Sequence, residues 1–546
     1  MKKIKYITLS LLAIGFMSCE NDTLEDLRSR GQEEPIELEV FTQGSADFST
    51  YVSLGNSLTA GFADGALYKI SQENSTPAIL AQQFAALGNG GSFTQPLMND
   101  NIGGLLVGGN QLPGFGPRLV LNLDPNLPRP TPVPLQVLVP SAVPTTDIAL
   151  NNPTGPFNNL GVPGAKSFHL LAPGYGNLNG VFAVPPTANP YFVRMTGTTP
   201  NASALELAIA QQPSFISLWI GNNDVLGYAL SGGDGTNPIT PIEGAPGVGF
   251  EATYQALIAS LVGNIPGVQG ILGNIPNVTA IPHFTTIPFA PLDPANPNFG
   301  PLIPTLNGQF AGLNQVFAAL GVPERSITFN EEAASAVVIK DESLVDLSAQ
   351  ISGALQAGGL DPGTAAVFGL LYGQARQANE NDLLVLPSSS IIGQVNTNAV
   401  ATLTGLGVPS ANAQQLAVNG VTFPLEDKWV LTPEEQEEIE TATIAFNSII
   451  EAAATANGFA LLDANTLLDQ LSTSGIETSG VVLNSNLVTG GAFSLDGVHP
   501  TSRGYALIAN EMLKAIDATY GSNFEASGNL VDVSAYNTNY SPALLQ

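Results

Sequence analysis

One cysteine stands in 546 residues, so no intramolecular disulfide can brace this chain. Charge is also scarce. Asp, Glu, Lys and Arg make up only 11% of the residues, and 45 acids face 16 Lys and Arg. The resulting net charge of −29 repels phosphate backbones and anionic membrane surfaces, which argues against nucleic acid as a partner. Histidine is limited to His169, His283 and His499. With so few nitrogen ligands and a lone Cys19, a zinc centre is not expected, and no other metal or cofactor is. No Walker-type phosphate loop occurs. Aromatic residues are only 7%, too few for extended sugar-stacking platforms.

What is plentiful points to a large folded body. Hydrophobic residues reach 44%, as in globular proteins with a sizeable core. Gly (57) and Pro (41) are abundant, so long ordered loops are expected.

The N-terminus reads as an export signal. Lys2, Lys3 and Lys5 precede an apolar run from Tyr6 to Phe16, which is too short to span a bilayer. Phe16-Met17-Ser18-Cys19 is similar to a bacterial lipobox, although Phe16 departs from the usual aliphatic residue. That similarity implies a lipoprotein signal peptide over 1–18 and lipidation of Cys19, the expected attachment to the membrane. Residues 19–46 read as an acidic tether similar to the export tails of some Gram-negative surface lipoproteins. The implied location is the bacterial cell envelope, at the outer membrane.

A folded domain is expected over 47–546. An apolar run ends at Gly55-Asn56-Ser57, a strand stopping at a tight turn that presents a hydroxyl. Ser75-Thr76-Pro77 opens a helix over Ala78–Leu87. A helix over Ala202–Gln211 with Asn201 as its cap leads to a strand over Phe215–Ile220. Helix Glu251–Val262 then precedes strand Val278–Ile281, and helix Leu306–Leu320 precedes strand Ser326–Phe329. Thr432-Pro-Glu-Glu435 is a capping box for a helix running to about Ala456, followed by strand Phe459–Leu462. Alternating strands and helices predict a central parallel sheet with helices on both faces. Residues 89–158 and 335–425 interrupt the pattern as insertions. The second carries apolar helices over Leu344–Leu355 and Thr364–Ala378 and a strand over Leu383–Leu386. Both insertions are expected to wall or cover the working site.

The residues able to do chemistry sit at element edges. A serine hydroxyl is a poor nucleophile without a base in reach. His499 follows Asp496 by three residues at the start of a helix over about Ser502–Thr519, so a carboxylate and an imidazole can meet locally. Asn223, in Gly221-Asn222-Asn223-Asp224 after a strand, could offer a side-chain amide. Ser57 and Gly164 could offer backbone N–H groups. His169 and His283 read as packed histidines.

Together these stretches resemble the SGNH, or GDSL-type, hydrolase family. Gly55-Asn56-Ser57-Leu58 resembles its first block, Asn159 through Gly164 its second, Gly221–Asp224 its third and Asp496–His499 its fourth. The resemblance implies a flavodoxin-like, three-layer α/β/α core. It also implies Ser57 as nucleophile, His499 as base and Asp496 as its orienter, with an oxyanion hole of Ser57, Gly164 and Asn223. The family's usual aspartate before the serine is Asn56 here. The implied activity is hydrolysis of carboxylic esters, on a small-molecule or glycan substrate, by a lipid-anchored esterase or lipase. An acyltransferase or glycan deacetylase would use the same triad, and a surface binding protein could keep the fold without catalysis. The α/β-hydrolase elbow, Gly-x-Ser-x-Gly, fits less well, since Thr59 holds its fifth position.

Overall fold

The computed structural model describes residues 38–88, 90–127, 130–235 and 237–546. The signal peptide, Cys19 and most of the expected tether lie outside the described residues. Residues 39–46, assigned to the tether from sequence, are docked on the fold. Asn523 binds Thr42 N at 2.8 Å, and Ser45 N–H donates to Tyr520 O.

Five strands form one all-parallel sheet: β1 Tyr51–Gly55, β2 Asn159–Gly161, β3 Phe215–Trp219, β4 Gln269–Gly273 and β5 Ala460–Leu462. Their spatial order is 5-4-3-1-2. Read from the other edge this is 2-1-3-4-5, the flavodoxin-like order, in which the chain reverses direction at β1 and β3. Strands β1 and β3 are buried along their whole length, as a parallel sheet covered on both faces requires.

Six helices matter for the site: α1 Ser57–Ala60, α2 Thr76–Ala86, α3 Asn222–Leu230, α4 Phe250–Asn264, α5 Pro433–Asn457 and α6 Ser502–Tyr520. Phe84 of α2 and Tyr520 of α6 both close on Phe215 of the sheet, at 5.8 Å. In the other layer Phe250 of α4 stacks on Phe446 of α5 at 3.9 Å. The local signals for α5 act where they stand. Glu435 accepts from Thr432 N at 2.7 Å, Pro433 sits in the first turn, and Gly458 ends the helix at φ 67°. Losing such an N-terminal arrangement costs about 1 kcal/mol.

Several sequence expectations give way to tertiary context. The strand after α4 is Gln269–Gly273, not Val278–Ile281; Val278–Ala280 is a single 3-10 turn. Pro276 and Pro282 bracket that stretch and cannot donate to a ladder. Ser326–Phe329 is not a strand either. The amides of Asn307 and Asn314, on the helix Ile303–Ala319, bond the backbone of Phe329 and Ile327 in place of a neighbouring strand. The helix expected over Thr364–Ala378 spans Pro362–Tyr372 and stops at Gly373, and Ala375–Gln377 turns into a strand beside Val338–Lys340. The cap of the helix Ala204–Ile209 is Ser203, paired with Glu206, rather than Asn201.

The second insertion also begins earlier than 335. A separate apolar core runs from Ile287 to Val430 and includes Leu306, Phe310 and Phe317. The helix Ile303–Ala319 thus belongs to an inserted subdomain between β4 and α5, and α5 alone crosses back to β5. Residues 89–158 hold two short ribbons, Leu106–Val107 with Asn110–Gln111 and Leu119–Asn122 with Thr131–Pro134. Among the described residues no helix is long and apolar enough to cross a membrane.

Candidate functional site

The sheet order explains why distant blocks meet. Gly55 at the end of β1 pairs in register with Gly161 on one side and Trp219 on the other. The turns that follow β2, β1 and β3 therefore leave the same edge of the sheet side by side. They carry Gly164, Ser57 and Asn223. Ligands of open parallel sheets bind at this edge, where the strand order reverses.

Each turn is held by its own residues. Asn56 caps α1, its Oδ1 accepting from Leu58 N at 3.0 Å, so Ser57 stands in the first turn. The N–H of such a position has no intrahelical acceptor. Gly161 lets α1 come close, since a Cβ there would stand 2.3 Å from Ala60 N. Val162 N–H donates to Gly55 O at 2.9 Å, and Gly164 follows at φ 80°. Asn223 Nδ2 donates to Ala165 O at 2.9 Å, which ties the third block to the residue after Gly164. Its second amide hydrogen is left for another acceptor.

The fourth block arrives from the far end of the chain. His499 Nε2 is 2.9 Å from Ser57 Oγ, and His499 Nδ1 is 2.9 Å from Asp496 Oδ2. A carboxylate can only accept, so Nδ1 carries the hydrogen and Nε2 is left to accept from the serine hydroxyl. Phe62 packs against the imidazole at 4.6 Å. Asp496 Oδ1 accepts from Val498 N, His499 N and Ser494 Oγ, and Oδ2 accepts from Gly65 N. Burial pushes this carboxyl up, but the His499 charge and these donors outweigh it and hold the pKa at about 2. The carboxylate is thus ionised throughout the ordinary pH range.

Sequence reasoning gave no role to three residues that hold this arrangement. Asp64, buried at 2% exposure and in the left-handed region at φ 55°, packs under the Asp496 loop. Its Oδ1 accepts from Leu495 N, its Oδ2 from Tyr68 Oη at 2.6 Å, and its own N–H donates to Ser494 Oγ. Burial pushes the Asp64 pKa up to about 6, aided by the nearby Asp496 charge and opposed by the Tyr68 and Leu495 hydrogen bonds. Asp224 accepts from both Ser167 N and Ser167 Oγ, clamping α3 to the segment that follows Gly164. Burial raises its pKa. Asn222 Oδ1 accepts from Asn56 Nδ2 at 3.0 Å, so Asn56, the residue before Ser57, joins α1 to α3 without charge. Asn222 and Asp224 lay in the third block without a role assigned to them, and nothing in the sequence marked Asp64, whose burial only the fold reveals.

The other histidines lie apart from Ser57. His169 stacks on Tyr175 at 4.4 Å and accepts from Lys166 N, and burial lowers its pKa to about 4. His283 N–H donates to Gly497 O at 2.9 Å, and its ring lies close enough to feel the Asp496 charge. Its ring nitrogens are buried without a hydrogen-bond partner, and burial lowers its pKa to about 4 as well.

No protein-family profile, curated protein or solved structure matches this chain.

Proposed function

We propose that the chain is a serine ester hydrolase of the SGNH type. One observation carries the reading: the Ser57 Oγ, His499 and Asp496 contacts form an unbroken relay at 2.9 Å per step. The flavodoxin-like strand order and the placement of Asn223 and Gly164 beside Ser57 support it.

Ser57 Oγ attacks the ester carbonyl carbon as its proton passes to His499 Nε2. Asp496 steadies the imidazolium. The oxyanion is received by the N–H groups of Ser57 and Gly164 and by Asn223 Nδ2, donors already fixed before reaction. The intermediate collapses, His499 returns the proton to the departing alcohol, and the acyl group remains on Ser57. Water, deprotonated by His499, then attacks the acyl-enzyme; the Ser57–acyl bond breaks, His499 returns that proton to Ser57 Oγ, and the carboxylic acid leaves. The protein works outside the cytoplasm, held to the outer membrane by lipid on Cys19, and Cys19→Ala should move it from the membrane pellet to the soluble fraction.

The test is labelling by a fluorophosphonate together with hydrolysis of a simple p-nitrophenyl ester. Wild type should show both. Labelling of Ser57→Ala equal to wild type would reject the assignment.

A further inference from the structure

A cavity of about 590 Å³ lies inside the inserted subdomain, within the range of small-molecule sites. Its floor is apolar, formed by Leu292, Phe299, Leu306 and Val421, all buried in the subdomain core. Its polar lining is neutral, as in the side-chain amides of Gln309, Gln394 and Gln415, and Asp293 is the single charged residue among its walls. No cation is present to hold a carboxylate or phosphate. The net charge of −29 disfavours such anions further.

The cavity does not include Ser57, His499 or Asp496 among its walls, but two elements join it to the loop that carries Asp496 and His499. His283 donates to Gly497 O, and three residues later Thr286 lines the cavity. Leu386 lies against Gly497, where a Cβ would meet its Cδ2 at 3.1 Å, and three residues later Ser389 lines the cavity. Three residues of helix rise only about 4.5–6 Å. The wall of the cavity therefore starts within a helical turn of the loop that carries the candidate base.

We propose that this cavity receives the aliphatic chain of a neutral ester whose carbonyl is presented to Ser57. The inference rests on the hydrolase reading for the carbonyl and goes beyond it by assigning the chain-binding site to the insertion. An apolar floor takes methylenes, neutral amides tolerate an uncharged oxygen-bearing end, and the lack of Lys or Arg rejects anionic lipids. The subdomain then acts as the element that selects substrates by chain length.

The test uses the full mature protein and two neutral substrates, p-nitrophenyl acetate and p-nitrophenyl decanoate. Ile392 and Val418 are half-buried in the cavity wall. Ile392→Trp and Val418→Trp should each lower the decanoate-to-acetate ratio of kcat/KM by about tenfold or more, the scale of hydrophobic-pocket discrimination. Ile392→Ala, which enlarges the cavity, should move the ratio the other way. Circular dichroism and Tm identify variants that fold. In parallel, the neutral fluorophore N-phenyl-1-naphthylamine should bind Ser57→Ala and be displaced by decanol, and either Trp substitution should weaken both. Ester hydrolysis with an unchanged ratio in folded variants overturns the cavity assignment and leaves the hydrolase reading standing. Absent hydrolysis with decanol displacement that the Trp variants abolish rejects the hydrolase reading and keeps the cavity as an aliphatic site. Absent displacement overturns the cavity assignment.

Discussion

His499 Nε2 reaches Ser57 Oγ at 2.9 Å across 442 residues of sequence. Ser57 follows strand β1, while His499 sits on the loop that leads into the last long helix, so the contact exists only once the two ends of the chain are folded together.

If Ser57 is the nucleophile, Ser57→Ala should lower kcat on the order of 10⁶-fold, as in other serine hydrolases. Asp496→Asn keeps the shape but removes the acceptor that fixes the ring, and should cost about 10⁴-fold. His169→Ala and His283→Ala should retain most turnover wherever the variant folds, because it is the His499 ring, not theirs, that hydrogen-bonds Ser57 Oγ. Ester hydrolysis by purified, folded variants checks all four, and loss at His283 with retention at His499 would reassign the base.

Asn223→Ala should lower kcat by about 10²–10³-fold with little change in KM, the cost of one oxyanion donor. It also removes the bond to Ala165 O, which helps fix the turn of Gly164. A large rise in KM with kcat preserved would show that Asn223 serves ground-state binding instead.

Asp64 should be felt through pH. Its folded pKa of about 6 lies above the ordinary aspartate value, burial being the main cause. The native state therefore binds this proton more tightly than the unfolded chain does. Its stabilising effect is complete below about pH 4 and is lost as pH rises through about 6. Above that, a second negative charge stands under Asp496. Asp64→Asn should flatten the fall in Tm across this window, measured by calorimetry at fixed ionic strength. An unchanged slope would place the titration elsewhere.

The junction of core and insertion carries a similar device. Asp427 stands among Glu342 of the inserted subdomain, Glu435 of α5 and Asp234, with Lys340 nearby, and its Oδ1 is buried without a hydrogen-bond partner. Burial pushes Asp427 up to about 8, with the neighbouring acids Glu342, Glu435 and Asp234 adding to the effect; Glu435 is raised to about 7, again chiefly by burial. Protonated in the fold, these acids stabilise it fully below about pH 4, and Tm should drop as pH climbs from there through about 7 and 8. Asp427→Asn should make that drop shallower. A steeper drop in the variant would show that the titration does not belong to Asp427.

The amino-acid sequence alone determined what is settled over a few residues. Asp496 bonds Val498 N and His499 N within its own turn, Thr432 meets Glu435 one helical turn away, and Gly458 stops α5, because such contacts close very short loops at little entropic cost. The hydroxyl turn after β1 and the alternation of strand and helix were legible for the same reason. The tertiary structure decided which strand lies beside which, and so which turns face one another. It made Gln269–Gly273 a strand because β3 was there to pair with it, and it left Ser326–Phe329 without a ladder because Asn307 and Asn314 supplied the hydrogen bonds first. It also placed Asp64 under a loop 431 residues away. Backbone groups must be satisfied once buried, but which partner satisfies them depends on what the fold brings within 3 Å, and no local pattern encodes that.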